Sequence, residues 1–219
     1  SPFHEHLSEQ GACFGEISGW ERPNWFAPKG TEPKYEYSFS KHNWFDYSAA
    51  EHNAVRQNIG LFDQTSFAKF RFEGRDAERE LNRVCSNNIA VEPGQIVYTQ
   101  WLNGRGGIEA DLTVTRLSYD VFFIVTSGSS QVRDFNWLKC QVSSDAHCIL
   151  TDVTSSMAVL GLHGPNSRSF LQSLTHEDMS NEAFPFGTSR EIDLGYAFVR
   201  ASRISYMGEL GWELYIPTE

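Results

Sequence analysis

The sequence is first informative for what it does not contain. Its four cysteines, Cys13, Cys85, Cys140 and Cys148, form no C-x-x-C pair. Neither a zinc knuckle nor a redox dithiol is therefore indicated, and reduced, mostly buried thiols are expected. His4 and His6 make an H-x-H with no cluster to complete it, so no metal site is expected. Basic residues are in the minority, with 18 Lys and Arg against 28 Asp and Glu and a formal net charge of −10. With no basic stripe, a nucleic-acid surface is excluded, because such surfaces neutralise phosphates with clustered Lys and Arg. No run of about 18 apolar residues could serve as a membrane span. The first ten residues, SPFHEHLSEQ, lack the charged and apolar regions of a secretory leader. A soluble, intracellular protein is the expectation, cytoplasmic in a bacterium and in the mitochondrial matrix in a eukaryote. None of G-x-G-x-x-G, G-x-x-x-x-G-K-[ST] or G-x-S-x-G occurs, which removes the fingerprints of a dinucleotide cradle, a nucleotide-triphosphate loop and a serine nucleophile elbow.

What is present is the ordinary composition of a globular chain: 219 residues, 40% hydrophobic and 21% charged, enough for one large domain or a domain with a small appendage. Residues 1–26 end in the aromatic GWERPNWF, too short to fold alone, and 27–34 read APKGTEPK, with the proline, glycine and charge of a linker. A boundary near residue 35 follows, with the first segment read as the tail of something larger upstream. Beyond it, Ser48 is placed to cap a helix running to about Asn58. FAKFRFEG at 67–74 alternates as a strand, and 76–86 has helical spacing. IVYTQWL and IEADLTVTRL flank the turn NGRGG and predict a hairpin, followed by a strand at 121–127. A helix over 129–142 would put Val132, Phe135 and Leu138 on one side. Then come a strand at 157–162, a helix at 165–174 opened by Pro165, and closing strands near 190–200 and 203–216. The pattern is α+β, with mixed, largely antiparallel sheets and packed helices.

Two carboxylates stand out against this pattern. In YMGELGWELYIP at 206–217, alternation puts Trp212, Leu214 and Ile216 on one face and Glu213 and Tyr215 on the other. Glu213 then points away from the core, either to solvent or to a ligand edge with two parallel N–H donors, such as the 2-amino-4-oxo edge of a pterin. In GGIEADLTVTR, Ile108, Ala110, Leu112 and Val114 share one face and Glu109, Asp111, Thr113 and Thr115 the other. An aspartate in mid-strand is disfavoured. Asp111 could pair with Arg116 or Arg105, face water, or serve a site to which Tyr98 on the preceding strand also belongs.

The segments GLFDQTSFAKFRFEG, GGIEADLTVTR, LGLHGPNS and SYMGELGWELYIP occur in the order found in the folate-binding aminomethyltransferases, the family of the glycine-cleavage T-protein. The resemblance covers about residues 40–219. GACFGEISGWERPNWF resembles the segment that joins a flavin amine dehydrogenase domain to such a folate domain in sarcosine and dimethylglycine dehydrogenases. The resemblance implies that residues 1–35 end the central region of a flavoenzyme and 36–219 form most of a folate domain. The cofactors implied are tetrahydrofolate here and FAD in an N-terminal domain of the same polypeptide. Glu213 matches the pterin-binding glutamate, Tyr206 the aromatic beside it, Tyr98 a further pocket residue and Asp111 the acidic residue near folate N10. Ala110 and Thr115 depart from the family, which often carries aspartate and tyrosine there. A freestanding aminomethyltransferase or demethylase, and a regulatory relative like the pyruvate dehydrogenase phosphatase regulatory protein, share the same architecture.

Overall fold

The computed structural model describes residues 1–218. In chain order the elements are α1 (His4–Glu9), β1 (Ala12–Ile17), β2 (Trp20–Phe26), α2 (Phe45–Gln57), β3 (Gly60–Asp63), β4 (Ala68–Glu73), α3 (Ala77–Val84), β5 (Ile96–Leu102), β6 (Ile108–Ser118), β7 (Val121–Thr126), α4 (Gln131–Gln141), β8 (Ile149–Asp152), β9 (Met157–His163), α5 (Ser167–Gln172), β10 (Ser189–Leu194), β11 (Ala197–Ser202) and β12 (Gly211–Pro217). Two five-stranded antiparallel sheets result, a first ordered β5-β6-β7-β4-β8 and a second ordered β10-β11-β12-β9-β3, with β1 and β2 as a separate hairpin.

The period-two pattern of each strand decides which face is covered. In the first sheet Ala68, Phe70, Phe72, Ala110, Leu112 and Val114 turn outward onto Leu81 and Val84 of α3 and Leu138 of α4. In the second, Leu162, Ile192, Val199, Trp212 and Leu214 face Leu171 of α5 and Met179 and Phe184 of the loop beyond it. The opposite faces of the two sheets meet through a smaller cluster of Phe123, Val159 and Tyr215, where the Phe123 and Tyr215 rings lie edge to face at 5.2 Å. Tyr215 is 3% exposed. The face that carries Glu213 is therefore the one between the sheets, and the open question of solvent or ligand is narrowed to a covered surface.

Several local expectations are corrected. The helix expected from Ser48 begins at Phe45, with Trp44 as its N-cap residue, and the Ser48 N–H is already inside the first turn, donating to the Trp44 carbonyl at 2.9 Å. Trp44 packs edge-on against Tyr35, and Tyr47 stacks on Trp25, so aromatic packing sets the start. Val132 is 73% exposed because the inward position of that turn of α4 is taken by Asp134, 1% exposed, which accepts from the Thr126 hydroxyl at 2.6 Å. The strand expected at 190–200 is a hairpin broken at Gly195, whose φ of +63° makes the reversal. Residues 203–210 are a loop, so the last strand starts only at Gly211. The N-terminal hairpin is anchored on α2 through Trp25, fully buried among Cys13, Ala27, Tyr35, Trp44 and Tyr47.

Candidate functional site

Asp111 lies on β6 directly across from Gln100 of β5, and Tyr98 lies across from Thr113, so Tyr98 and Asp111 are diagonal neighbours on one face. The Gln100 side-chain amide donates to Asp111 Oδ1 at 3.1 Å. Neither arginine proposed from the sequence pairs with this carboxylate. Arg116 instead turns to Glu78 at 2.6 Å and to the carbonyls of Val91 and Tyr119. Asp111 stays exposed and keeps acceptor capacity. The neighbouring Tyr98 hydroxyl has its pKa raised, first by the Asp111 carboxylate and then by burial. Tyr206 stands on the 203–210 loop, with its ring almost fully exposed.

Glu213 stands on the second sheet, in register with Gly161 of β9 on one side and Ser202 of β11 on the other. Its one side-chain hydrogen bond among the described residues comes from the Tyr215 hydroxyl, which donates to Oε2 at 2.6 Å. Burial pushes the Glu213 carboxyl above the usual carboxylate range, and the Tyr215 bond offsets this only in part. Full burial, together with the same pairing, raises Tyr215 well above the ordinary phenol range. A partly buried carboxylate with one donor is under-supplied, since it can accept about four hydrogen bonds.

The neighbourhood of Glu213 holds polar groups that the sequence reading passed over. Gly161 lies opposite Glu213, and a Cβ there would come within 2.7 Å of Gln64 Oε1 and 2.9 Å of His163 Nε2, so both side chains pack close over it. His163 is 1% exposed, and its Nδ1, like Gln64 Oε1 and Ser205 Oγ, has no hydrogen-bond partner among the described residues. Burial lowers the His163 pKa, so the ring is neutral at pH 7. The signal for His163 was a polar residue two positions after Gly161 in an otherwise apolar strand, on the same face as the glycine. Glu213, Gln64 and His163 thus leave hydrogen-bonding capacity unmet around Gly161.

The architecture is that of an aminomethyltransferase. The glycine cleavage system aminomethyltransferase T of Bartonella henselae superposes with a TM-score of 0.77 at 26% identity, over 99% of this chain and 53% of that one. The chain belongs to the family of the GCVT N-terminal domain, whose profile matches residues 3–219. Among curated relatives, 4-methylaminobutanoate oxidase (formaldehyde-forming) of Paenarthrobacter nicotinovorans is 41% identical over 98% of this chain and 26% of its own length. Mitochondrial dimethylglycine dehydrogenase of Rattus norvegicus is 36% identical over 95% of this chain and 24% of its own length. The mitochondrial pyruvate dehydrogenase phosphatase regulatory subunit of Mus musculus is 33% identical over the whole chain and 26% of its own length. The chain thus spans about a quarter of the length of the curated relatives it matches. Among the described residues no helix is long and apolar enough to cross a membrane, and no group of three or more His, Cys, Asp or Glu is placed to hold a metal ion.

Proposed function

We propose that this chain is the tetrahydrofolate-binding, one-carbon transfer domain of an FAD-dependent N-methyl amino acid dehydrogenase, with residues 1–35 ending the central region that leads from a flavin domain of the same polypeptide. The observation that carries the reading is Glu213: a carboxylate on a covered face, with one donor of its own and a pKa raised by burial. A pterin edge brings the parallel N–H donors that such a carboxylate lacks. Tyr206, exposed on its loop, has a free aromatic face for the ring, and Tyr98 stands exposed beside Asp111. Bound tetrahydrofolate supplies two amine nitrogens that capture a one-carbon unit as 5,10-methylenetetrahydrofolate. Asp111 orients those nitrogens and accepts a proton, a role suited to an exposed carboxylate held by one neutral donor, Gln100. Amine oxidation belongs to the flavin domain. The task of this chain is positioning and exclusion of water, since an iminium carbon that meets bulk water is lost as formaldehyde.

The test is a calorimetric titration of the protein with tetrahydrofolate, followed by turnover with an N-methyl amino acid while methylenetetrahydrofolate and formaldehyde are both quantified. Saturable binding and a product ratio that rises with folate are expected. A protein that binds no tetrahydrofolate, or whose formaldehyde yield is indifferent to it, overturns the reading.

A further inference from the structure

A second site lies beside the first. A partly open pocket of about 100 Å³ lies between the β1–β2 hairpin and the turns that follow β3 and β7. It is well below the few hundred Å³ or more of a drug- or cofactor-sized pocket. Since one water needs roughly 10–15 Å³ on this measure, the cavity holds several waters or one small molecule of about half a dozen heavy atoms. Its walls carry both signs of charge. Arg22 reaches it from β2 and makes no ion pair or side-chain hydrogen bond among the described residues. Asp63 reaches it from the end of β3, with Oδ1 accepting the Thr65 N–H at 3.0 Å and the other oxygen spare. The two are not an ion pair with each other.

The remaining walls divide in the same way. Ser127 and Ser129, whose hydroxyls are 2.8 Å apart, and Ser66 supply neutral hydrogen-bonding groups, while Trp20 supplies an aromatic surface. The wall is rigid at Gly128, where a Cβ would lie 2.0 Å from the Ser66 carbonyl oxygen, so the turns after β3 and β7 are pressed together there. Gln64 borders the cavity while its Oε1 packs over Gly161, the register partner of Glu213. One side chain thus separates this cavity from the face assigned to folate.

We propose that the cavity binds a small zwitterionic amino acid, with its carboxylate toward Arg22 and the serines, its ammonium toward Asp63, and any N-methyl group against Trp20. The proposal rests on the function proposed above and deepens it. An N-methyl amino acid and its demethylated product both carry a carboxylate and an amine, and a Trp face attracts methylated ammonium groups. A guanidinium alone would select any small anion, whereas the facing carboxylate penalises an anion without an ammonium group.

The experiment is calorimetric titration of the protein, with whatever further domains its gene encodes, using N-methylglycine, N,N-dimethylglycine, acetate and methylammonium as probes. Arg22→Gln and Asp63→Asn are compared with the parent; the amide oxygen introduced by Asp63→Asn remains an acceptor for the Thr65 N–H. The expected result is a binding component for the two amino acids that weakens about tenfold in Arg22→Gln, roughly 1.4 kcal/mol. Asp63→Asn should weaken the same component while narrowing the preference over acetate. A flavin-domain amine site would add a second component that neither substitution moves. Identical isotherms for parent and Arg22→Gln, or acetate bound as tightly as N-methylglycine, overturn the proposal. Tetrahydrofolate titration of the same variants separates the two readings, because loss of the folate function appears in the parent while loss of this site appears as indifference to Arg22.

Discussion

Glu80 and Glu213 are both shielded glutamates, and the protein supplies them in opposite ways. Glu80, 3% exposed on α3, accepts from the Ser143 N–H and hydroxyl, each at 3.1 Å, and from Arg83 at 3.0 Å and Arg79 at 3.2 Å. The Ser143 N–H, ahead of the arginines, holds its carboxyl down at about 2. Glu213 has the Tyr215 hydroxyl alone, and burial pushes its carboxyl up. The residue type is the same, so the difference lies in donor supply. A carboxylate saturated by its own chain ties a helix to a loop, whereas one left short on a face between two sheets has capacity for a ligand.

Asp111 extends the comparison to a third carboxylate, exposed and held by one amide. Asp111→Asn keeps the shape and the hydrogen bond but loses the ability to take a proton. In the full protein, transfer to folate should slow by about 10²–10⁴-fold, the usual contribution of a general base, with amine oxidation nearly intact and formaldehyde released instead. An unchanged ratio of methylenetetrahydrofolate to formaldehyde at saturating folate would remove Asp111 from the transfer step.

The structural half of the comparison is tested by Glu80→Gln. The new amide faces two donors and loses the charge that strengthens the bonds, so stability at pH 7 should fall by about 1.5–3 kcal/mol. Because the folded carboxyl lies at about 2 and the ordinary value is 4.5, its contribution is fully present above 4.5 and is lost as pH falls toward 2. Denaturant unfolding at stepped pH should show the gap between parent and variant closing over that window. A gap independent of pH would mean that packing, and not charge, carries the effect.

The ligand-facing half is tested by Glu213→Gln. One of two acceptors becomes a donor that opposes ligand N–H groups, and the charge is lost, so tetrahydrofolate affinity should fall by about 1–3 kcal/mol. Equal affinity of parent and variant in calorimetry would place the pterin elsewhere. The comparison would then lose its functional side while the account of Glu80 stood.

These contrasts were only partly legible in the sequence. Strands β5 and β6 announce themselves by alternation and β7 and β9 as short apolar runs buried on both faces, while in β12 alternating periodicity puts Glu213 off the core. It cannot say that the other face is covered by a second sheet, which depends on the long-range contact of Phe123 with Tyr215. The short strands Gly60–Asp63 and Ile149–Asp152 offer four residues each, too few for a period to emerge. Glu213, Asp111 and Tyr98 were singled out by strand alternation and Tyr206 by motif resemblance, whereas Gln64 and His163 were missed. Nothing local distinguishes a buried polar side chain with a partner from one without. Donor supply is a property of the assembled fold, which is also why Glu80, in a helix of ordinary charged residues, gave no hint of its bonds to Ser143, Arg79 and Arg83.

The smallest effect sharpens the comparison most. The Glu213 carboxyl is raised in the folded protein, so the fold favours its protonated form. The stability linked to it is fully present below the unfolded-state value and is lost as pH rises through the folded one, the reverse of Glu80. Folate-free Glu213→Gln, which keeps an acceptor for the Tyr215 hydroxyl and carries no charge to desolvate, should gain on the parent as pH climbs above the ordinary carboxylate value of 4.5. Saturating tetrahydrofolate should reverse the order at pH 7, since the ligand stabilises the protein that binds it more tightly. Thermal unfolding of the two proteins across pH, with and without the ligand, reads both effects. If the folate-free curves ran parallel, the fold would not raise this carboxyl at all, and the reason for assigning it to a ligand would be gone.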